Sequence, residues 1–280
     1  MDLSIIVCTR NRASRLAETL KHYEAFTTKR AWELLFIDNA STDDTRDILS
    51  RHPLISQVVN VTRVGLGAAR DHGWRLAQAP VIAFTDDDCY PAPDFVDRML
   101  EVFEEHPEVG VVGGRIELWD KAALPLTIDT RETPERLAPK TFVAAGALQG
   151  ANLAMRRTVL ETIGGFDPML GAGTPFPAED IDVIAAALWA GFEGRYDPRP
   201  MVFHDHGRVT GEHERAIWRS YHAGRGAYYA KYMLRPDTRS TYARHWLCSA
   251  LREPTRAARE LASGLRYVRD RRHHEDQHLA

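Results

Sequence analysis

"VIAFTDDDCYP", residues 81–91, sets a buried apolar run directly against three consecutive aspartates, Asp86, Asp87 and Asp88. Adjacent carboxylates repel one another and oppose strand pairing, so the chain needs a reason to hold them there. Two readings fit. One is a solvated turn, helped by Pro91 and Pro93. The other is a site for a hard divalent cation, which prefers oxygen ligands and sits between one or two carboxylates and substrate phosphates. In a strand-to-loop bend, Asp86 and Asp88 reach one side of the chain while Asp87 points elsewhere. An EF-hand is excluded, because neither acidic cluster has the required loop glycine and the closing glutamate.

Outward from this stretch, short apolar runs alternate with amphipathic ones. "LSIIVCT" (3–9) reads as a buried strand, "ASRLAETLKHYEAF" (13–26) as a helix, "WELLFID" (32–38) as a strand and "TDDTRDILSRH" (42–52) as a helix. A short strand near "QVVNVT", a helix through "GAARDHGWRLAQ" and the strand "PVIAFT" follow. This order predicts an α/β fold whose central sheet is mostly parallel, with flanking helices and ligands bound beyond the carboxyl ends of the strands. Two of those strands end in acids, Asp38 and Asp86. Further on come a helix over about 93–106 and the strand "VGVVGGRI". Residues 118–145 read as a long loop, and "QGANLAMRRTVLETIGGFD" as strand, helix and glycine stop. "EDIDVIAAALWAG" is a helix closed by Gly191, and "RPMVFHDHG" a strand ending in histidines. From about 211 the chain reads as helical, broken at Arg235-Pro236.

The chain of 280 residues, 27% charged with net charge −3, gives no reason to expect nucleic acid as a partner. Cys8, Cys89 and Cys248 form no CxxC pair, so neither a disulfide framework nor a cysteine zinc site is expected. A reducing, cytoplasmic setting fits. "MDLSIIVCTRNR" reads as a first strand rather than a signal peptide. No stretch approaches the roughly 18 apolar residues that a membrane span needs.

Other constellations each have a plain reading beside a functional one. "DNASTDD" (38–44) either caps a helix or places Asp38 against a base or ribose. "RVGLGAARDHG" (63–73) has Gly65-x-Gly67 but Arg70 where a dinucleotide fingerprint needs its third glycine, so that reading fails. An arginine there can instead meet a phosphate or an acid. Glu179 and Asp180 at a helix start oppose the helix dipole by default. His204 and His206, after an apolar strand, are structural or ligating.

Taken together and in order, these pieces resemble family 2 of the inverting glycosyltransferases. The matching segments are "SIIVCTRNR", "LLFIDNASTDDT", "GLGAARDHGWRLAQAPVIAFTDDDCYP", "GANLAMRRTVLETIGGFDPMLGAG", "AEDIDV" and "MVFHDHG", spanning about residues 3–207. The resemblance implies a GT-A fold, with a catalytic unit over 1–210 and a helical extension over 211–280. Within the catalytic unit it implies a nucleotide-binding half over about 1–116 and an acceptor half over 117–210. It implies that Thr9 and Arg10 touch the nucleotide, Asp38 bonds a uracil-like base, and Gly67 and Arg70 line the nucleotide pocket. Asp86 and Asp88 would form the DxD pair, contacting ribose and a Mn²⁺ or Mg²⁺ ion that bridges the diphosphate, with Asp87 beside them in the nucleotide site. His204 would be a further metal ligand, with His206 as its substitute, and Asp180 the general base. Glu179, Gly150, Asn152, Gly171 and Gly173 would form the donor-sugar and acceptor loop. One departure is "RVGLG", where Arg63 or Val64 occupies a place that commonly holds Asn.

The implied reaction moves a sugar from a nucleotide-diphosphate sugar, with UDP as the family habit, to the hydroxyl of a sugar, lipid-linked or small-molecule acceptor. A sugar-nucleotide nucleotidyltransferase would carry a glycine-rich loop after the first strand, which "CTRNRAS" lacks. A non-catalytic sugar-nucleotide-binding module is the other alternative. In the C-terminal part, "IWRSYHAGRGAYYAKYMLRP" sets Trp and Tyr beside basic residues, and "LREPTRAARELASGLRYVRDRRHH" is arginine-rich. Either the surface approaches anionic lipid at a cytoplasmic membrane face, suiting a lipid-linked acceptor, or the helices cover the catalytic unit or form a homodimer. The last residues, "HHEDQHLA", are expected to be disordered.

Overall fold

The computed structural model describes residues 1–273 in full and, over 274–279, only the backbone of the last helix, so most side chains of the tail expected to be disordered lie outside the described residues. The elements run β1 (Leu3–Thr9), α1 (Leu16–Glu24), β2 (Trp32–Asp38), α2 (Thr45–Ser50), β3 (Gln57–Asn60), α3 (Leu66–Leu76) and β4 (Val81–Asp86). Then come β5 (Cys89–Pro91), α4 (Phe95–Glu105), β6 (Val109–Leu118), β7 (Glu135–Leu137), β8 (Asn152–Arg156), α5 (Arg157–Ile163), α6 (Glu179–Trp189) and β9 (Glu193–His204). Three helices finish the chain: α7 (Gly211–Met233), α8 (Arg239–Arg252) and α9 (Pro254–Leu279).

All seven residues of β1 are buried, as expected for a strand covered by helices on both faces. Alternate residues serve different cores: Ile6, Ile37, Phe84 and Leu153 pack on one face of the sheet, and Ile5, Val7, Phe36 and Ala83 on the other. β1 pairs in parallel with β2 and β4, and β2 with β3. The register sets Thr9 opposite Asp38, and Cys8 opposite Asp86, so the carboxyl ends open on one edge.

The expectation of a mostly parallel sheet holds for this half and fails beyond it. β8 runs antiparallel to both β4 and β6, while β6 is parallel to β9. The three-residue strands β5 and β7 both pair antiparallel with β9. The complete order is β3-β2-β1-β4-β8-β6-β9-β5, with β7 also on β9. The segment expected to be a plain loop over 118–145 therefore contains β7.

The tyrosines of the C-terminal stretch turn inward rather than toward solvent. Tyr228, Tyr232 and Tyr242 join the core that holds α6, and the Tyr228 and Tyr242 hydroxyls meet at 2.8 Å. Among the described residues no helix is long and apolar enough to cross a membrane. α7 approaches the loop before α6 so closely that a Cβ on Gly224 would lie 1.8 Å from the Pro177 carbonyl oxygen. Helix propensity alone predicts that Gly224→Ala stabilises the protein by up to about 1 kcal/mol. Backbone-to-backbone overlap predicts the opposite sign, a loss of about 1–3 kcal/mol. We expect the loss, read as a lower midpoint in urea; an unchanged or raised midpoint contradicts the contact.

Candidate active site

A cleft of about 590 Å³ opens at the carboxyl ends of β1 and β4. Cys8, Thr9, Asp86, Asp87 and Asp88 line it on the sheet side, and Glu179 and Asp180 from the first turn of α6 on another. Arg208, Ile217, Ser220 and Tyr221 contribute a wall from α7 and the segment before it.

The three aspartates diverge: Asp86 pairs with Arg70, while Asp87 and Asp88 share Arg12. Asp86 Oδ1 accepts from Arg70 Nη2 at 2.8 Å and keeps 30% of its side chain exposed. Asp87 turns inward: its Oδ2 accepts from the Thr9 hydroxyl at 2.6 Å and its Oδ1 pairs with Arg12 Nε at 3.1 Å. Its carbonyl accepts from the Thr19 hydroxyl on α1 at 2.7 Å. Burial pushes the Asp87 carboxyl up to about 6, with Arg12 and Thr9 acting against the rise. Asp87 therefore ties β4 to β1 and α1. Asp88 lies 3.4 Å from Arg12 Nη2 and 3.4 Å from His204 Nε2.

His204, at the end of β9, is 4% exposed. Its Nδ1 lies 3.2 Å from the Thr127 carbonyl, which orients the ring and leaves Nε2 facing Asp88. Burial acts to lower the His204 pKa and to raise that of Asp88. Their mutual pairing outweighs burial, so His204 sits above its ordinary value and Asp88 below. His206 uses both nitrogens on backbone: Nδ1 accepts from Arg208 N at 3.0 Å and Nε2 donates to the Leu124 carbonyl at 3.1 Å. Of the two histidines, only His204 turns toward the carboxylates.

Ligand atoms of Asp88, Cys89 and His204 lie within 4.8 Å of one another. Burial raises the Cys89 thiol well above its ordinary range, so it stays protonated and offers little to a hard cation. One carboxylate and one imidazole remain, an oxygen and nitrogen donor set that suits a divalent cation. The residues present fit such an ion.

Arg70 links the two sides of the cleft. It is 1% exposed and donates to Asp86 Oδ1, to the Gly150 carbonyl at 2.9 Å and to Glu179 Oε1 at 3.3 Å. Burial, with the Asp180 charge beside it, raises Glu179 to about 7 against the pull of Arg70. Asp180 has a different setting. Its Oδ2 accepts from the Gly150 N–H at 3.1 Å and its Oδ1 from the Ile181 N–H at 2.7 Å, so its carboxylate plane is held at the cleft wall.

Of the residues singled out from sequence, the cleft is lined by Thr9, Arg10, Arg70, Asp86, Asp87, Asp88, Gly150, Gly173, Glu179, Asp180 and His204. Asp38, Gly67, Asn152 and Gly171 are not among the lining residues. Asp38 is 2% exposed and accepts from Ser41 N at 3.1 Å, which shapes the turn after β2. Its neighbour Asn39 lines the cleft instead and holds the 61–65 loop through Val61, Arg63 and Gly65. Gly67 serves close approach: a Cβ there would meet the Leu170 and Asp167 carbonyls at 2.4 and 2.5 Å. Gly171 adopts φ +110°, and Asn152 is a buried strut donating to the Arg115 and Pro200 carbonyls. Arg12, Asn39, Thr127, Gln149, Arg208 and Tyr221 also line the cleft and were not singled out. Only "TRNR" and "DNA" carried a local hint for the first two.

The family model described as "Glycosyl transferase family 2" matches residues 4–164. The chain belongs to glycosyl transferase family 2. Curated relatives agree. A "Pre-mycofactocin glycosyltransferase" of Mycobacterium tuberculosis is 26% identical over 217 residues, 73% of this chain and 43% of the relative. A "Validoxylamine A glucosyltransferase" of Streptomyces hygroscopicus is 35% identical over 103 residues, 35% of this chain and 24% of the relative. The chain thus spans less than half the length of these family members. Among solved structures, a mannosyltransferase from Pyrobaculum calidifontis, in complex with GDP-Man and Mn²⁺, superposes with a TM-score of 0.63 at 20% identity, covering 96% of this chain and 87% of that one. S. aureus TarS 1-349 with UDP-GlcNAc gives 0.63 at 16% identity, covering 86% and 69%. These likenesses show the GT-A fold.

Proposed function

We propose that this family 2 member moves a sugar from a nucleotide-diphosphate sugar, with UDP as the expected nucleotide, to an acceptor hydroxyl by a single displacement with inversion. The observation that carries the reading is the convergence of Asp86, Asp88 and His204 with Asp180 in one cleft, from segments far apart in the chain. Asp88 and His204, with Asp86 beside them, would hold a Mn²⁺ or Mg²⁺ ion, which when bound supplies Lewis-acid neutralisation of the departing diphosphate.

The remaining steps fall to the chain itself. Thr9, Arg10 and Asn39 line the cleft and would meet the nucleotide, and Arg12 and Arg208, which line it too, would offer guanidinium groups to the diphosphate charge. An acceptor hydroxyl is a poor nucleophile and must lose its proton as it attacks; Asp180 accepts that proton, oriented by the Gly150 N–H. Glu179 is buried against Arg70, so Asp180 is the carboxylate of this pair free to meet the acceptor. Acting as a base rather than as a nucleophile, Asp180 would give inversion with no covalent intermediate. The acceptor is read as a sugar, a lipid-linked sugar or a small molecule, in polysaccharide, glycolipid or natural-product synthesis.

The test is a panel of UDP-, GDP- and dTDP-sugars assayed for slow Mn²⁺-dependent hydrolysis, water standing in for the acceptor. One or more donors should be hydrolysed, with the nucleoside diphosphate released. Metal-dependent binding without any hydrolysis would favour a non-catalytic binding module, and release of pyrophosphate from a nucleoside triphosphate and a sugar phosphate a nucleotidyltransferase.

A further inference from the structure

The C-terminal helices reach the cleft through a buried ionic knot that the reaction scheme above does not use. Lys231 of α7 donates from one Nζ to Asp167 Oδ2 and to Asp182 Oδ2, both at 2.8 Å. Tyr267 of α9 donates to the same Asp167 oxygen at 2.9 Å, and Tyr232 of α7 donates to the Asp182 carbonyl at 2.9 Å. Asp182 is 2% exposed and its Oδ1 has no hydrogen-bond partner, so Lys231 supplies its charge compensation. A cation placed between two carboxylates in the interior is costly unless all three are held together.

Both carboxylates lead directly to the cleft. Asp182 lies two residues beyond Asp180, on the first turns of α6. Asp167 opens the loop whose Ala172, Gly173 and Thr174 line the cleft. That loop is laid against the start of α3, with Gly67 N donating to the Leu170 carbonyl and Leu66 N to the Ala172 carbonyl at 3.1 and 2.9 Å. α9 grips the loop a second time where Tyr267 meets Phe176 edge-on, with ring centroids 5.5 Å apart. One lysine and one tyrosine thus hold both the loop beside the donor and the helix that carries the base.

We infer that Lys231 and Tyr267 are positioning residues: they set Asp180 and the 167–174 loop in register through Asp182 and Asp167, making α7 and α9 part of the catalytic apparatus. This rests on the glycosyltransferase reading of the cleft. Misplacement of a base by a fraction of an ångström lowers turnover while leaving nucleotide contacts at the far end intact. The prediction is therefore a split between kcat and nucleotide affinity.

The experiment uses the full chain with Tyr267→Phe, which removes a single hydroxyl, Lys231→Met, and both together. For the nucleotide sugar that the wild type hydrolyses, Tyr267→Phe should lower kcat about threefold to tenfold and Lys231→Met at least about tenfold. Affinity for the matching nucleoside diphosphate with Mn²⁺ should stay within about twofold, and the double variant should resemble the worse single one rather than their product. Amide hydrogen exchange over residues 167–174 and 179–182 should quicken in the same variants. Wild-type kcat and wild-type exchange in Tyr267→Phe, shown folded by circular dichroism, would overturn the inference whether or not Lys231→Met folds. If the wild type hydrolyses no nucleotide sugar, the functional reading fails on its own, and the exchange measurement still decides whether the knot orders these two segments.

Discussion

Asp180→Asn is expected to lower sugar transfer, and leakage to water, by about 10²–10⁴-fold while nucleotide affinity with Mn²⁺ stays as in the wild type. The substitution keeps the shape and one acceptor oxygen, so the bond from the Gly150 N–H can be kept at the expense of the one from the Ile181 N–H, and the helix start at Glu179 survives. What it removes is the basic oxygen that takes the acceptor's proton. Isothermal titration with UDP and Mn²⁺ beside a hydrolysis assay separates the two effects. Near wild-type turnover would remove Asp180 from its role. Glu179 would then be the next carboxylate to test, although its place against Arg70 leaves it poorly aimed at an acceptor.

Asp88→Ala should show the converse defect, loss of the metal-dependent part of nucleotide binding. With Asp88 gone, His204 remains the one ligand turned toward the cleft, and Asp86 is already shared with Arg70. An ion held by so few donors binds weakly, and the affinity gained on adding Mn²⁺ should shrink at least about tenfold. In thermal denaturation, wild type plus UDP and Mn²⁺ should melt higher than wild type alone, because ligands that bind only the folded state stabilise it by mass action. Asp88→Ala should lose most of that increment. An unchanged increment would place the metal elsewhere.

The parallel half of the sheet was legible because β1, β2 and β4 each carry a four-residue apolar run, IIVC, LLFI and VIAF, and such runs with intervening helices have few other packings. The reversal at β8 was not, because "NLAMR" carries no mark of its direction: burial on both faces selects apolar side chains, not polarity of the chain. β5 and β7 are three residues each, too short for any periodicity, and exist because β9 offers them an edge. At the site, the strand end and the helix start that bring Asp86, Asp88 and Asp180 to the cleft were legible, while the roles expected of them came from the family resemblance alone. Asp87 was not: its role depends on Thr9 and Arg12, dozens of positions away. Arg208 and Tyr221 lie beyond sequence reading for the same reason, since where a long side chain or an unpaired helix points is a tertiary fact.

The way β5 is used has a consequence for engineering. It follows the aspartate triplet by sequence yet closes the far edge of the sheet against β9, so the chain's first part finishes a strand ladder begun by its last. Arg70 makes the same crossing in side chains, from α3 to Gly150 and Glu179. A cut near residue 116 would sever both the β5–β9 pairing and the bonds from Arg70 to Gly150 and Glu179. A hybrid that grafts another member's acceptor segment onto this one must also supply a partner strand for "CYP" and a carbonyl and carboxylate for Arg70. Without those, it would inherit a frayed edge and a stranded guanidinium beside Glu179 and Asp180.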